Sequence, residues 1–143
     1  MAGTLIATDL FSADGAARWQ ERLNASPRFA AAAAGWAGSL LLVERQDDDT
    51  APRRTWVRVS AGRCLEARPG ELSDIERADF VLTASPRTWG ALVAAQTTPA
   101  MAALTGRLKL TKGEVFALIP HARAAAELLA AAAADEENPQ RIR

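Results

Sequence analysis

A chain of 143 residues has the length of one ordinary domain, and folding it buries roughly two thirds of its extended surface, enough for one substantial core. Hydrophobic residues at 49% and charged residues at 24% exclude a disordered or fibrous chain, while seventeen basic against seventeen acidic side chains leave no overall field to draw it to nucleic acid or an anionic membrane. The single cysteine, Cys64, excludes an internal disulfide and any multi-cysteine metal site and suits a reducing compartment.

The leading residues carry no basic stretch ahead of an apolar one, and no apolar run reaches the roughly 18 residues of a spanning helix. The closing Pro139-Gln140-Arg141-Ile142-Arg143 is not a peroxisomal Ser-Lys-Leu signal. A cytoplasmic protein is expected.

After Ser12, an N-cap, Ala16, Trp19 and Leu23 recur at helical spacing with Arg18, Glu21 and Arg22 on the other side, which predicts an amphipathic first helix. Ser26-Pro27 caps and opens a second helical stretch that stops at Gly35. Residues 36–44 form an apolar run of strand length. Residues 46–54, with Asp47-Asp48-Asp49 and Pro52, read as a solvated loop; consecutive carboxylates lack the alternate spacing and glycine of a calcium site.

Residues 55–60 alternate, Ala61-Gly62 supplies a turn, and residues 63–67 return as a strand. Past Pro69-Gly70, residues 78–84 form a further strand. Ser85-Pro86 opens a helix carrying Trp89, Leu92 and Val93, and Thr98-Pro99 opens a short one carrying Met101 and Leu104, ended by Gly106. Residues 107–111 alternate, placing Leu108 and Leu110 on one face of a last strand. Residues 114–134, rich in alanine and leucine and interrupted by Pro120, predict a short helical segment and then a long one on whose face Ala125, Leu128, Leu129 and Ala132 fall.

This order predicts an α+β domain over residues 1–134, with helices gathered on one face of a mostly antiparallel sheet, and a polar tail over 135–143. Helices laid over a curved sheet enclose an apolar cavity where small residues stand in place of large ones. The many alanines and four tryptophans fit that arrangement.

Four stretches in order resemble the sterol-carrier-protein type two domain family, in particular its stand-alone bacterial members. They are residues 24–39 leading into a strand, Ala78-Asp79-Phe80-Val81-Leu82-Thr83 followed by Trp89, Pro99-Ala100-Met101, and Gly106-Arg107-Leu108-Lys109-Leu110. The last is similar to the family's Gly-Lys/Arg-Leu-Lys signature, and the resemblance spans residues 9 to 132. It implies a five-stranded sheet covered by helices, with an apolar tunnel between the layers for sterols, fatty acids, fatty acyl thioesters or phospholipids, and no metal or organic cofactor. Lys112-Gly113-Glu114-Val115-Phe116 departs from the family's usual Lys-Gly-Asp/Asn followed by Met or Leu, and Ser85-Pro86-Arg87-Thr88 stands where a Tyr-containing turn is frequent, so the ligand itself is not carried over.

Given such a tunnel, Trp89, Leu92, Val93, Met101 and Leu104 become candidates for its wall, and Phe116, Ile119, Leu128 and Leu129 for its closure from the C-terminal helix. Trp36 and Trp56 sit on strands and pack against each other, the core or the ligand. Arg107, Lys109 and Lys112 read as a solvated strand face, with a head-group grip as the sharper alternative. His121, the only histidine, has no patterned nucleophile or orienting carboxylate to make it a general base. Cys64 reads as a buried structural thiol, although Arg63 beside it would lower its pKa.

The expected function is non-catalytic binding or transfer of a hydrophobic ligand. The alternative is an accessory interaction protein that delivers or shields a lipid-like substrate for a partner enzyme. Expected partners are a hydrophobic small molecule or lipid, at most transient membrane contact, and a partner enzyme or a second copy as homodimer; nucleic acid is not among them.

Overall fold

Three helices begin where Ser or Thr is followed by Pro. The hydroxyl of Ser26 accepts from the backbone N–H of Phe29, that of Ser85 from Thr88 and that of Thr98 from Met101, each at 3.1 Å, and the proline takes the first helical turn, where its missing N–H costs nothing. Ser12 caps the first helix in the same way through Gly15 N–H at 3.0 Å.

The computed structural model describes residues 9–46 and 48–133. The leading segment, Asp47 of the acidic loop, and the expected end of the domain with its tail lie outside the described residues. In chain order the elements are α1 (Ala13–Asn24), α2 (Pro27–Ala32), β1 (Ala37–Glu44), β2 (Arg53–Ser60), β3 (Arg63–Pro69), α3 (Asp74–Arg77), β4 (Phe80–Ala84), α4 (Pro86–Val93), α5 (Pro99–Leu104), β5 (Lys109–Lys112), α6 (Val115–Leu118) and α7 (Ala122–Ala130). A tight 3-10 turn, Ile119–His121, joins α6 to α7, and another follows α7 at Ala131–Ala133.

The five strands form one sheet in the order β3-β2-β1-β4-β5. The fold is α+β and mostly antiparallel as expected, with one parallel pair, β1 beside β4, in which Leu40 faces Phe80 and Leu42 faces Leu82. β1 is central and buried on both faces, which explains its unbroken apolar run. Leu40 and Leu42 join the main core under the helices, whereas Leu41 and Val43 join Trp56, Ala78 and Val81 on the reverse face. The Ala61-Gly62 turn forms as expected with φ of 51° and 83°, and a Cβ on Gly62 would lie 2.7 Å from the carbonyl oxygen of Ala30.

The reverse face corrects the expectation that all helices gather on one side. Arg68 and Arg77 lie over the Trp56 ring at 5.3 and 5.2 Å, and Trp56 Nε1 donates to Glu66 Oε1 at 2.9 Å. The short α3 stands beside them because buried Asp74 accepts from Arg68 at 2.9 and 3.1 Å and from Glu71 N–H at 2.8 Å. β4 consequently starts at Phe80, two residues later than expected, while Asp79 is held against β1 by Ser39, whose N–H donates to its Oδ2 at 2.9 Å.

α1 covers the outer edge of β3. Asn24 donates to the carbonyl of Cys64 at 2.9 Å and accepts from its N–H at 2.8 Å, and Gln20 accepts from Ala67 N–H at 3.1 Å. Two helical amides thus complete main-chain groups that a sixth strand would otherwise take.

By length and composition, Val115–Ala133, 19 residues with mean hydropathy 1.4, is apolar enough to cross a membrane, contrary to the expectation that no segment reaches that length. Pro120 breaks it, Arg123 and Glu127 interrupt it, and about a third of it, including Ala124, Ala125, Leu128 and Leu129, is buried in this fold.

Candidate apolar cavity

Between the helices and the sheet lies a cavity of about 110 Å³. Its floor is Leu40 and Leu42 of β1, Leu82 of β4 and Trp89 of α4; its back wall is Ala125, Leu128 and Leu129 of α7. Pro99, Ala100 and Ala103 of α5, Leu108 and Leu110 beside them, and Val115, Leu118 and Ile119 form the outer side. The hollow exists because Ala100, Ala103, Ala122 and Ala125 face it with single methyl groups. All the lining side chains are apolar, so they can desolvate a hydrocarbon but offer no polar handle for chemistry on it.

The alternation of β1 turns Leu40 and Leu42 inward together, and the main chain of the same strand fixes the floor. Trp89, 3% exposed, donates through Nε1 to the carbonyl of Val43 at 3.0 Å, and Phe11 meets its ring edge-on at 5.8 Å between centroids. The back wall is tied to α1 by Trp19 and by Arg22, which donates to the carbonyl of Ala132.

Of the residues singled out from sequence, Trp89, Ile119, Leu128 and Leu129 meet around this space. Leu92 and Val93 are buried in the core on other sides of α4. Met101, Leu104 and Phe116 point outward, 55%, 81% and 79% exposed; α5 buries Ala102, and exposed Ala100, Ala103 and Val115 with half-buried Leu118 border the open side of the cavity. Together with half-exposed Val115 and Ile119 these three make an apolar ridge along the elements that bound the cavity's outer side. Trp36 does not reach the cavity; its ring stacks on His121 at 5.2 Å and 12°. Trp56 lies on the reverse face.

The remaining candidates find ordinary roles. No described carboxylate pairs with His121. Lys112 donates to the carbonyls of Ile75 and Glu76 at 2.9 and 2.8 Å, which anchors β5 to α3, while Arg107 and Lys109 are exposed. Within its surface loop the Asp48 carboxyl is held below its ordinary pKa, first by the Thr50 side chain and then by the Thr50 N–H, which donates to it at 2.9 Å. Burial pushes the Cys64 thiol up to about 11, the reverse of an activating effect from Arg63. Among the described residues no group of three or more His, Cys, Asp or Glu side chains is placed to hold a metal ion.

Sequence reasoning gave no site role to Leu40, Leu42, Leu82, Ala100, Ala103 or Ala122, and it placed Leu108, Leu110 and Ala125 on apolar faces without naming them as lining. The signal available was the alternation in β1 and β5 and the i, i+3 spacing of Ala100 with Ala103 and of Ala122 with Ala125.

Comparison with known proteins bears on the family and the fold. A crystal structure of sterol carrier protein 2 superposes with a TM-score of 0.78 at 33% identity, covering 88% of this chain and 98% of that one. The solution structure of a conserved hypothetical protein from Thermus thermophilus gives 0.74 at 33% identity, covering 87% and 88%. The apo form of sterol carrier protein 2 from Yarrowia lipolytica gives 0.54 at 18% identity, covering 81% and 87%, a likeness of fold alone. No curated protein matches the chain. The SCP-2 sterol transfer family matches residues 18–116. With that match spanning most of the chain and an apolar hollow between its two layers, the chain belongs to the SCP-2 sterol transfer family.

Proposed function

We propose that this protein is a non-catalytic carrier that takes up a hydrophobic molecule, a sterol, fatty acid or fatty acyl thioester, in the cavity between its helices and sheet. The observation that carries this reading is a hollow with a wholly apolar lining, bounded on its outer side by segments that hold exposed apolar side chains. Burying about 300 Å² of ligand surface contributes on the order of 7 kcal/mol before association costs, at about 25 cal/mol per Å², so micromolar affinity, about 8 kcal/mol net, requires a longer stretch of hydrocarbon to be buried.

A hollow of about 110 Å³ is smaller than the roughly 300–1,000 Å³ of ordinary ligand sites. Uptake therefore requires α5 and α6 to move off the sheet. Both are short, six and four residues, and the outward faces of Met101, Leu104 and Phe116 pack on nothing that would resist this.

Native mass spectrometry of freshly purified protein tests the reading, together with titration of tryptophan fluorescence with palmitic acid. A co-purified mass of lipid size, or saturable quenching at micromolar ligand, is expected. Neither response would end the reading. The same spectrum counts subunits and so tests for a homodimer.

The exposed ridge of Met101, Leu104 and Phe116 favours a second reading, an accessory protein that docks a partner enzyme or a membrane to deliver or shield a lipid-like substrate. Co-purification from native lysate with wild type and not with a Phe116→Ser variant would separate it from the first. The one cysteine, held reduced and buried, fits a cytoplasmic location.

A further inference from the structure

On the other side of Trp89 lies a second hollow of about 160 Å³, open to solvent, lined by buried Leu10, Phe11 and Val93, by exposed Pro86 and Gly90, and by Asp9 and Glu44. Trp89 is the one residue that lines both spaces. A single indole, fixed by its hydrogen bond to Val43 and propped on the far side by the edge of Phe11, therefore stands between them.

We propose that Trp89 is the stop that sets the length of hydrocarbon chain the protein accepts, and that the hollow behind it is a subsite for the far end of a longer alkyl chain. The proposal rests on the carrier reading above. Its wall is hydrocarbon, and the chemistry at its rim gives the ligand a direction. Asp9 and Glu44 border the hollow, and both accept from Arg53, at 3.0 and 2.9 Å. Arg53, whose guanidinium also lies 5.6 Å over the Phe11 ring, is already held by these two carboxylates, so a carboxylate or phosphate head finds no free cation there, whereas a methyl end meets Leu10, Phe11 and Val93. The alkyl tail thus leads towards Trp89 and the head stays at the α5–α6 side. Gly90 is exposed at the mouth of the hollow, and a Cβ built on it meets no atom within 4 Å, so a larger side chain can be placed there without a clash.

Calorimetric titration with lauric, myristic, palmitic and stearic acids reads the length limit directly. For the wild type, affinity rises with chain length and then levels off. Each methylene newly buried adds about fourfold in affinity, so Trp89→Leu, which removes the indole and joins the two hollows, moves the plateau to longer acids by that factor per carbon. Adding Gly90→Leu to Trp89→Leu refills the space behind the floor and returns the plateau to shorter acids. If Trp89→Leu does not fold, Phe11→Ala lets the indole swing back and gives a smaller shift in the same direction.

A folded Trp89→Leu protein with the wild-type plateau overturns the proposal, as does a gain that Gly90→Leu leaves in place, or an unchanged plateau in Phe11→Ala. A wild type that binds none of the four acids is a different result, because it removes the carrier reading itself.

Discussion

The indole nitrogen of Trp19 in α1 donates to the main-chain carbonyl of Leu128 in α7 at 2.8 Å, joining positions 109 residues apart. α7 gives way to a tighter turn after Ala130, so the carbonyls of its last residues lose helical partners. Trp19 supplies one of them from α1, Arg22 serves the carbonyl of Ala132 in the turn that follows, and the wall formed by Leu128 and Leu129 is held in place. Trp19→Phe keeps most of the buried ring but orphans that carbonyl. A loss of about 1–3 kcal/mol is expected, measured as a lower midpoint in urea.

Phe116 touches little, so Phe116→Ser is expected to change stability by no more than about 0.5 kcal/mol. On the carrier reading, its equilibrium affinity for soluble palmitic acid stays close to wild type, while transfer of a fluorescent fatty acid out of vesicles slows. Equal transfer rates would remove the ridge from the uptake route.

The Asp74 carboxyl is held below its ordinary value of 3.8, first by hydrogen bonding to Arg68, and Glu66 is lowered, first by the Trp56 indole. Groups whose folded-state pKa is depressed contribute stability that is fully present above the unfolded value and lost as pH falls through the folded one. The clasp over Trp56 therefore weakens only in acid, below about pH 4. Asp74→Asn is expected to cost about 2 kcal/mol at neutral pH and to flatten the acid limb of the stability curve. A parallel downward shift at all pH values would contradict this.

Cys64 has the opposite sign. Its pKa rises from 9.0 to about 11 because burial disfavours the thiolate, so the stability it supports is complete below the unfolded value and is lost as pH rises towards the folded one. Reaction with a disulfide reagent at neutral pH is expected to be about a hundredfold slower than in the unfolded chain, from the smaller thiolate fraction. Rapid labelling of the folded protein would show the thiol to be accessible.

Ala61 has φ of 51°, a left-handed conformation that a side chain disfavours by about 1–2 kcal/mol. Ala61→Gly gives back part of that in chain entropy, leaving an expected gain of about 0.5 kcal/mol. Gly62→Ala combines the same backbone penalty with contact against the Ala30 carbonyl, and a loss of more than about 2 kcal/mol is expected. Thermal unfolding of both variants checks the pair.

Elements whose cause is local were legible in the sequence. Ser26-Pro27, Ser85-Pro86 and Thr98-Pro99 each state a cap and a first turn, and the alternation of β2 states its two faces. The parallel pairing of β1 with β4 depends on contacts about forty residues apart and leaves no local mark. α3 was missed because four residues held by the Asp74–Arg68 pair have no periodicity to display. The site divides similarly. Trp89, Leu128 and Leu129 are large apolar residues on elements long enough to have a clear inner face. Met101, Leu104 and Phe116 look the same in sequence, but on helices of six and four residues only the tertiary fold decides which side turns inward. The hollow itself is made by alanines, whose i, i+3 spacing marks a face of each helix but not which of the chain's many alanines stand over the sheet.

The amides of Gln20 and Asn24 that lie along β3 have a bearing on how copies of this protein meet. With that margin occupied and β5 only four residues long, neither end of the sheet offers a long free row of peptide groups for another chain to zip onto. Self-templated fibre growth has little to start from while the fold is intact. Assembly is then left to side chains meeting side chains, and among the described residues most of the exposed hydrocarbon for that lies on or beside the helices, with Leu65 of β3 on a margin of the sheet.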